Sequence, residues 1–147
     1  MTGRRDIERL QEQLDELFQD LWHVPRFSGV RRGFRPHVDV YRIDEPPELT
    51  IVVELPGVDP ERVAIALDGR ELIVAGERPR PKLGCRPSYY QLELEYGLFQ
   101  RRVTLPEEVD GARARASYEH GLLTIVLPLA QRPEQAARVS IPVTAHR

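Results

Sequence analysis

Residues 116–128 read Ala116-Ser117-Tyr118-Glu119-His120-Gly121-Leu122-Leu123-Thr124-Ile125-Val126-Leu127-Pro128. Leu123, Ile125 and Leu127 recur at every second position, which is the period of a strand with one buried face. His120-Gly121 ahead of them is a turn signal, and Pro128 closes the run. The same period extends upstream. Val38 and Val40 alternate with Asp39 and Tyr41, and Leu49, Ile51, Val53 and Leu55 alternate with Thr50, Val52 and Glu54. Val63, Ile65 and Leu67 alternate with Ala64 and Ala66, residues 72–75 form a short apolar run, and Phe99, Val103 and Leu105 share a face. Pro46-Pro47, Pro56-Gly57, Asp68-Gly69, Gly76 and Pro106 punctuate the runs, and Asp68-Gly69 is the best local hairpin signal. Short strands at this spacing, with no helical stretch between them, predict an all-β, immunoglobulin-like antiparallel β-sandwich.

Two features sit awkwardly in one isolated sandwich. Residues 78–88 hold three prolines and one glycine and form a loop. Residues 89–95 then regain a strand pattern, with Tyr90, Leu92 and Leu94 alternating with Tyr89, Gln91, Glu93 and Glu95. A structureless excursion of about 20 residues is unusual in a compact domain, and a lone strand needs an edge to pair with. Either it folds back on its own sheet or it reaches a neighbouring chain. Arg101 falls on the same face as Phe99, Val103 and Leu105. An inward arginine needs a hydrogen-bonded partner, often a carboxylate. A twist or bulge that turns it to solvent, or an interface position, resolves the conflict equally well.

The flanks differ in character. Over residues 4–22, Ile7, Leu10, Leu14, Leu17 and Leu21 recur in steps of three and four, with Phe18 beside them. This predicts a helix, with Asp6 as N-cap, Glu8 near the positive end and Pro25 as stop. It either covers the domain's own core or acts as a sticky arm for other chains. Residues 26–35, RFSGVRRGFR, form a flexible basic segment. A solvated linker is the better reading than a nucleic-acid arm, since no folded nucleic-acid motif accompanies it. After Pro128 the periodicity stops. Ile141 and Val143 then point the same way from an extended backbone, with Pro142 between them. The eleven residues 130–140 reach at most about 36–40 Å, enough to dock on another molecule.

Composition bounds the function. The 147 residues are 41% apolar and 30% charged, with 21 Lys and Arg against 23 Asp and Glu. The net charge of −2 argues against a dominant polyanion partner. No apolar run approaches the 18 or so residues of a membrane span, and no apolar stretch follows the charged N-terminus as in a secretory signal. The expected compartment is the cytoplasm. Twenty of the 21 basic residues are Arg, Asn is absent and there are 13 prolines, a weak hint of a warm-living or GC-rich source. Cys85 is the single cysteine, which excludes an intrachain disulfide and a multi-cysteine zinc site. It reads as an incidental surface thiol, open to interchain crosslinking under oxidation. His23, His37, His120 and His146 show no metal-ligand spacing; His37 and Asp39 share a strand face but need ligands from elsewhere. No nucleophile elbow, phosphate loop or dinucleotide fingerprint occurs. No catalytic residue, metal ligand or cofactor site is expected.

The segment from Ala116 to Pro128 resembles the A-x-x-x-n-G-v-L-t-i-x-L-P signature of the small heat-shock proteins, which carry an α-crystallin domain. Tyr96-Gly97-Leu98-Phe99-Gln100-Arg101-Arg102-Val103-Thr104-Leu105-Pro106 is similar to that family's y-G-x-F-x-R-x-f-x-L-P. Leu55-Pro56-Gly57-Val58, Leu72-Ile73-Val74-Ala75-Gly76-Glu77-Arg78 and Ile141-Pro142-Val143 also agree, the last with the C-terminal Ile-x-Ile/Val motif. The order and spacing together are specific over about residues 37–129 plus the tail. His120 stands where the family usually has Asn, and Leu129-Ala130 where a basic residue is usual. The arm matches in character only.

The resemblance implies an α-crystallin domain at 37–129, between an N-terminal arm at 1–36 and a C-terminal extension at 130–147. It implies an ATP-independent holdase that binds partly unfolded clients and acts as a homo-oligomer of strand-exchanged dimers. Residues 89–95 would pair with the edge strand at 38–42 of a partner. Val38, Val40, Tyr89, Tyr90, Leu92, Leu94 and Arg101 would then line the dimer interface. Ile141, Pro142 and Val143 would dock on another dimer, in a groove between the 63–67 and 123–127 strands, lined by Val63, Ile65, Leu67, Leu123, Ile125 and Leu127. Leu10, Leu14, Leu17, Phe18, Leu21 and Trp22 are the expected client-binding residues, because unfolded chains seek apolar surface. The partners are thus the chain itself and unfolded proteins, with no membrane and no nucleic acid. A co-chaperone or adaptor module of related sandwich type is the competing reading, which a monomeric solution mass would favour. An enzyme is disfavoured for want of an acid, base, nucleophile or metal cluster.

Overall fold

The computed structural model describes residues 34–132 and 138–146. The helix expected over 4–22, its client-binding side chains and most of the basic segment lie outside them. The described strands are β1 (Val38–Asp44), β2 (Pro47–Glu54), β3 (Ala64–Asp68), β4 (Glu71–Arg78), β5 (Gly97–Thr104), β6 (Arg115–Glu119), β7 (Leu122–Pro128), β8 (Val139–Ser140) and β9 (Val143–Ala145). One sheet has the order β1-β2-β7-β6-β9 and the other β5-β4-β3-β8. Every pairing is antiparallel except that of β9 with β6.

The period-two residues build the core between the sheets. Leu49, Ile51 and Val53 of β2 lie beside Leu123, Ile125 and Leu127 of β7, with Ile51 opposite Ile125. Ile65, Leu67, Leu72, Val74 and Phe99 meet them from the other sheet in one buried cluster. Each fully buried side chain of this size contributes roughly 1.5–3 kcal/mol. The alternation therefore has one low-energy register, because a one-residue slip exposes the whole set.

The turns follow from their residues. Glu119 pairs with Leu122, so His120-Gly121 is a two-residue hairpin loop. Both residues have positive φ, 52° and 77°, as a type I′ turn requires. A Cβ on Gly121 would also lie 3.2 Å from the Pro56 backbone. The hairpin is pinned there by the Leu55 amide, which donates to the Gly121 carbonyl at 2.8 Å. Gly121→Ala is expected to lower stability by about 1–2 kcal/mol in urea unfolding, from the left-handed backbone alone, with the Pro56 approach adding to it.

Sheet order leaves β1 and β5 at the edges, each hydrogen-bonded on one side only among the described residues. β1 is exposed along nearly its whole length and shows Val40, Tyr41 and Ile43 to solvent. Arg42 donates through Nε to Asp44 at 2.8 Å and through its guanidinium to Glu107, which raises its pKa further above the ordinary arginine value. These exposed pairs add little stability.

Candidate functional site

Two surfaces carry the features that the sequence could not place within one sandwich. The first surrounds residues 79–96, which leave β4 and return to β5. The strand pattern of 89–95 forms no strand here. A strand needs a ladder partner, and this segment pairs with neither sheet of its own chain. Its apolar side chains stand in solvent: Tyr90 is fully exposed, Leu92 is 60% and Leu94 is 69% exposed. Arg80, Leu83, Tyr89, Leu92, Leu94 and Tyr96 line a shallow cleft inside the loop.

The root of this loop, by contrast, is held. The Arg78 guanidinium donates to the Glu95 carbonyl, at 2.7 Å from Nε, and lies 3.6 Å from the centroid of the Phe34 ring. Phe34 meets Phe99 edge-on, with centroids 5.9 Å apart, and Arg80 sits 5.0 Å over the Tyr96 ring. Cation–π contacts of this kind are favourable by about 0.5–2 kcal/mol. Sequence reasoning missed Phe34 and Arg78. Only the fold brings them together, and their local pattern carries no signal.

Arg101 lies on β5, opposite Val74. It follows Phe99 on the inward face, and its Nε is buried with no hydrogen-bond partner among the described residues. Burial holds the guanidinium below the ordinary arginine value, and the like charge of Arg35 acts in the same direction. A buried donor left unpaired costs about 1–3 kcal/mol. Among the described residues, neither a twist to solvent nor a carboxylate resolves the conflict read from the sequence.

The second surface is the groove that holds residues 138–146 of the same chain. Val139 pairs with Leu67 and Ser140 with Ala66, and the Ile141 amide donates to the Ile65 carbonyl at 3.0 Å. The chain then crosses at Pro142 to the other sheet, where Val143 pairs with Ala116 and the His146 amide donates to the Tyr118 carbonyl at 3.0 Å. Ile141 is only 3% exposed and belongs to the core cluster, with Val139 and Val143 packed against it. Arg138 pairs with Asp68 at 2.9 Å.

The groove's walls differ from the sequence expectation in one respect. Val63, Ile65 and Leu67 lie on or beside β3, the first wall. The second wall is β6, not the 123–127 strand. β7 lies between β2 and β6, so both its edges are already paired, and the tail takes the remaining edge of β6. Leu123, Ile125 and Leu127 are instead part of the core floor. No alternation distinguishes an edge strand from its inner neighbour. No group of three or more metal-ligating side chains gathers among the described residues. Cys85 is exposed in the loop.

Known proteins share the sandwich. The profile of the Hsp20/alpha crystallin family matches residues 41–144. The chain is 35% identical over 136 residues to spore protein SP21 of Stigmatella aurantiaca, covering 88% of this chain and 79% of that protein. It is 35% identical over 135 residues to the 16.9 kDa class I heat shock protein 1 of Triticum aestivum, covering 82% and 89%. Among solved structures, heat shock protein 16.0 of Schizosaccharomyces pombe superposes with a TM-score of 0.60 at 30% identity, covering 66% of this chain and 88% of that one. A small heat-shock protein of Xylella fastidiosa does so at 0.56 and 32%, covering 67% and 90%. The family profile over residues 41–144, with relatives 35% identical over most of the chain, makes this chain a member of the Hsp20/alpha crystallin family, the small heat-shock proteins, which are chaperones and not enzymes.

Proposed function

We propose that this chain is an ATP-independent holdase working as a dynamic homo-oligomer in the cytoplasm. The observation that carries the reading is that one chain shows both an exposed apolar loop at 89–95 and a β1 edge, bearing Val40, Tyr41 and Ile43, that is paired on one side only among the described residues. In two copies, the loop of one supplies the strand that the β1 edge of the other lacks, and Tyr90, Leu92 and Leu94 leave water. Arg101 stands on the edge strand at the loop's return, where an acceptor from the partner satisfies its Nε. Arg101→Met is therefore expected to weaken the dimer about tenfold or more while leaving unfolding of the separated chain unchanged or improved. Dilution-series sedimentation together with urea unfolding checks both signs.

Tails link dimers into the oligomer by exchanging the groove of their own chain for that of a neighbour. The related Xylella fastidiosa protein is described as having a distinct high order structure, which supports assembly of this kind. One tail is weakly held and many act together, so the assembly persists while its subunits exchange. Clients are partly unfolded chains, met by the apolar arm residues Leu10, Leu14, Leu17, Phe18, Leu21 and Trp22, which become available as the tails exchange. The test heats an aggregation-prone client with and without this chain, in the absence of ATP. Suppressed light scattering at stoichiometric ratio is expected, and unchanged scattering overturns the holdase reading.

A further inference from the structure

The tail groove contains a contact that the Ile-Pro-Val motif does not describe. Gly111 opens the short 3-10 turn Gly111–Arg113, beside β3, and is buried. A Cβ built on it would lie 2.6 Å from Val139 Cγ2, 3.4 Å from Val139 Cγ1 and 3.1 Å from Leu67 Cδ2. Real Cβ atoms do not approach carbon so closely, so the tail fits as it does because position 111 has no side chain. Gly111 is not among the glycines with positive φ. Its backbone would accept alanine, and the requirement is one of space alone.

Nothing around the contact gives way easily. The turn is fixed on one side by the Asp110 amide, which donates to the Pro128 carbonyl at 2.7 Å. On the other, the Asp110 carboxylate accepts from the Ala112 amide at 3.1 Å. Leu67 is fully buried. Val139 is β-branched and stiff at χ1, and rotation brings one γ-methyl to the place of the other. Its backbone is held in register opposite Leu67. The clash is relieved by the tail, a terminal segment held by two short ladders, the Arg138–Asp68 pair and the burial of Ile141, rather than by the strands of the sandwich.

We propose that Gly111 forms a third pocket of the tail groove, filled by Val139, so that the groove reads the side chains at 139, 141 and 143. The occupant is this chain's own tail segment or the same segment of a second copy. The pocket makes the groove selective: a tail with a larger residue two positions before the isoleucine is refused. This deepens the tail-docking part of the proposed function and rests on that contact.

The test is amide hydrogen exchange on the full chain, read over residues 139–146 and, as a control, over β2 and β7. Gly111→Ala is expected to speed tail exchange at least about tenfold, the usual consequence of overpacking, and to leave the control strands slow. Adding Val139→Ala to it is expected to return tail exchange to the level of Val139→Ala alone, since the methyls that clash are gone. Val139→Phe, which enlarges the contact from the tail's side, is expected to act like Gly111→Ala without touching the domain. Wild-type tail exchange in Gly111→Ala overturns the proposal, as does a double variant whose tail exchanges faster than that of Val139→Ala alone. If Gly111→Ala loosens the control strands, Val139→Phe decides, and slow tail exchange there overturns the proposal. A chain that neither assembles nor protects a client, yet keeps this Gly111-dependent pattern, removes the holdase reading and leaves the pocket standing.

Discussion

A chain carrying both Ile141→Ala and Val143→Ala is expected to sediment as a dimer, where the parent is expected to sediment as a larger assembly. Ile141 is buried as completely as many core residues, and Val143 packs half-buried against the same cluster. Truncating a buried isoleucine to alanine costs about 2–5 kcal/mol, and the valine adds to that. Tail affinity then falls by about two to four orders of magnitude. Avidity amplifies this loss, because each additional link in the oligomer depends on another weakened tail. The sandwich itself is expected to stay folded, since the sheets on either side of the groove close their core with β2, β4 and β7. Sedimentation velocity reads the mass, and circular dichroism checks the fold. Retention of the parental mass would show that tails do not hold the oligomer together.

Placing aspartates at Leu92 and Leu94 is expected to give a monomer. In the separate chain both side chains face water and contribute little to the fold. In the proposed exchange both become buried against a partner's β1, along with Tyr90, at roughly 1.5–3 kcal/mol each. An aspartate there forfeits that gain and adds the penalty of desolvating a carboxylate. Two such changes raise the dimer dissociation constant by more than about a thousandfold. A native mass measurement at micromolar concentration suffices, and a dimer surviving both substitutions would exclude the loop from the interface. The same variant should leave Ile141 protected from hydrogen exchange, because groove and loop lie on different edges of the sandwich.

Leu49, Ile51, Val53, Leu123, Ile125 and Leu127 were legible as one buried face because a strand's side-chain period is fixed by its backbone. The turn at His120-Gly121 was legible for a similar reason: a two-residue hairpin needs left-handed backbone, and glycine supplies it at least cost. Residues 89–95 show the limit of such reading. Their alternation describes a strand that could be half-buried, but a strand exists only with a ladder beside it, and the chain alone offers none. The groove shows a second limit. β6 reads Arg-Ala-Ser-Tyr-Glu and lacks the large aliphatic run that marks β7, and the spacing of neither says which has an edge to give. Phe34 and Arg78 stood in quoted segments, and Gly111 in none, but nothing local told their roles, since each acts through residues far away in sequence.

The sequence by itself therefore determined the sandwich, its inward faces, its turns and the presence of an excursion and a tail beyond the main strands. These follow from local rules, because period and turn conformation depend on residues a few positions apart. Only the tertiary structure decided which strands lie at the edges, that β6 rather than β7 receives the tail, that Arg101 Nε is buried without a partner among the described residues and that position 111 must be empty for Val139 to fit. Those are properties of sheet order and of side-chain approach between distant segments, and neither is written in the spacing of residues along the chain.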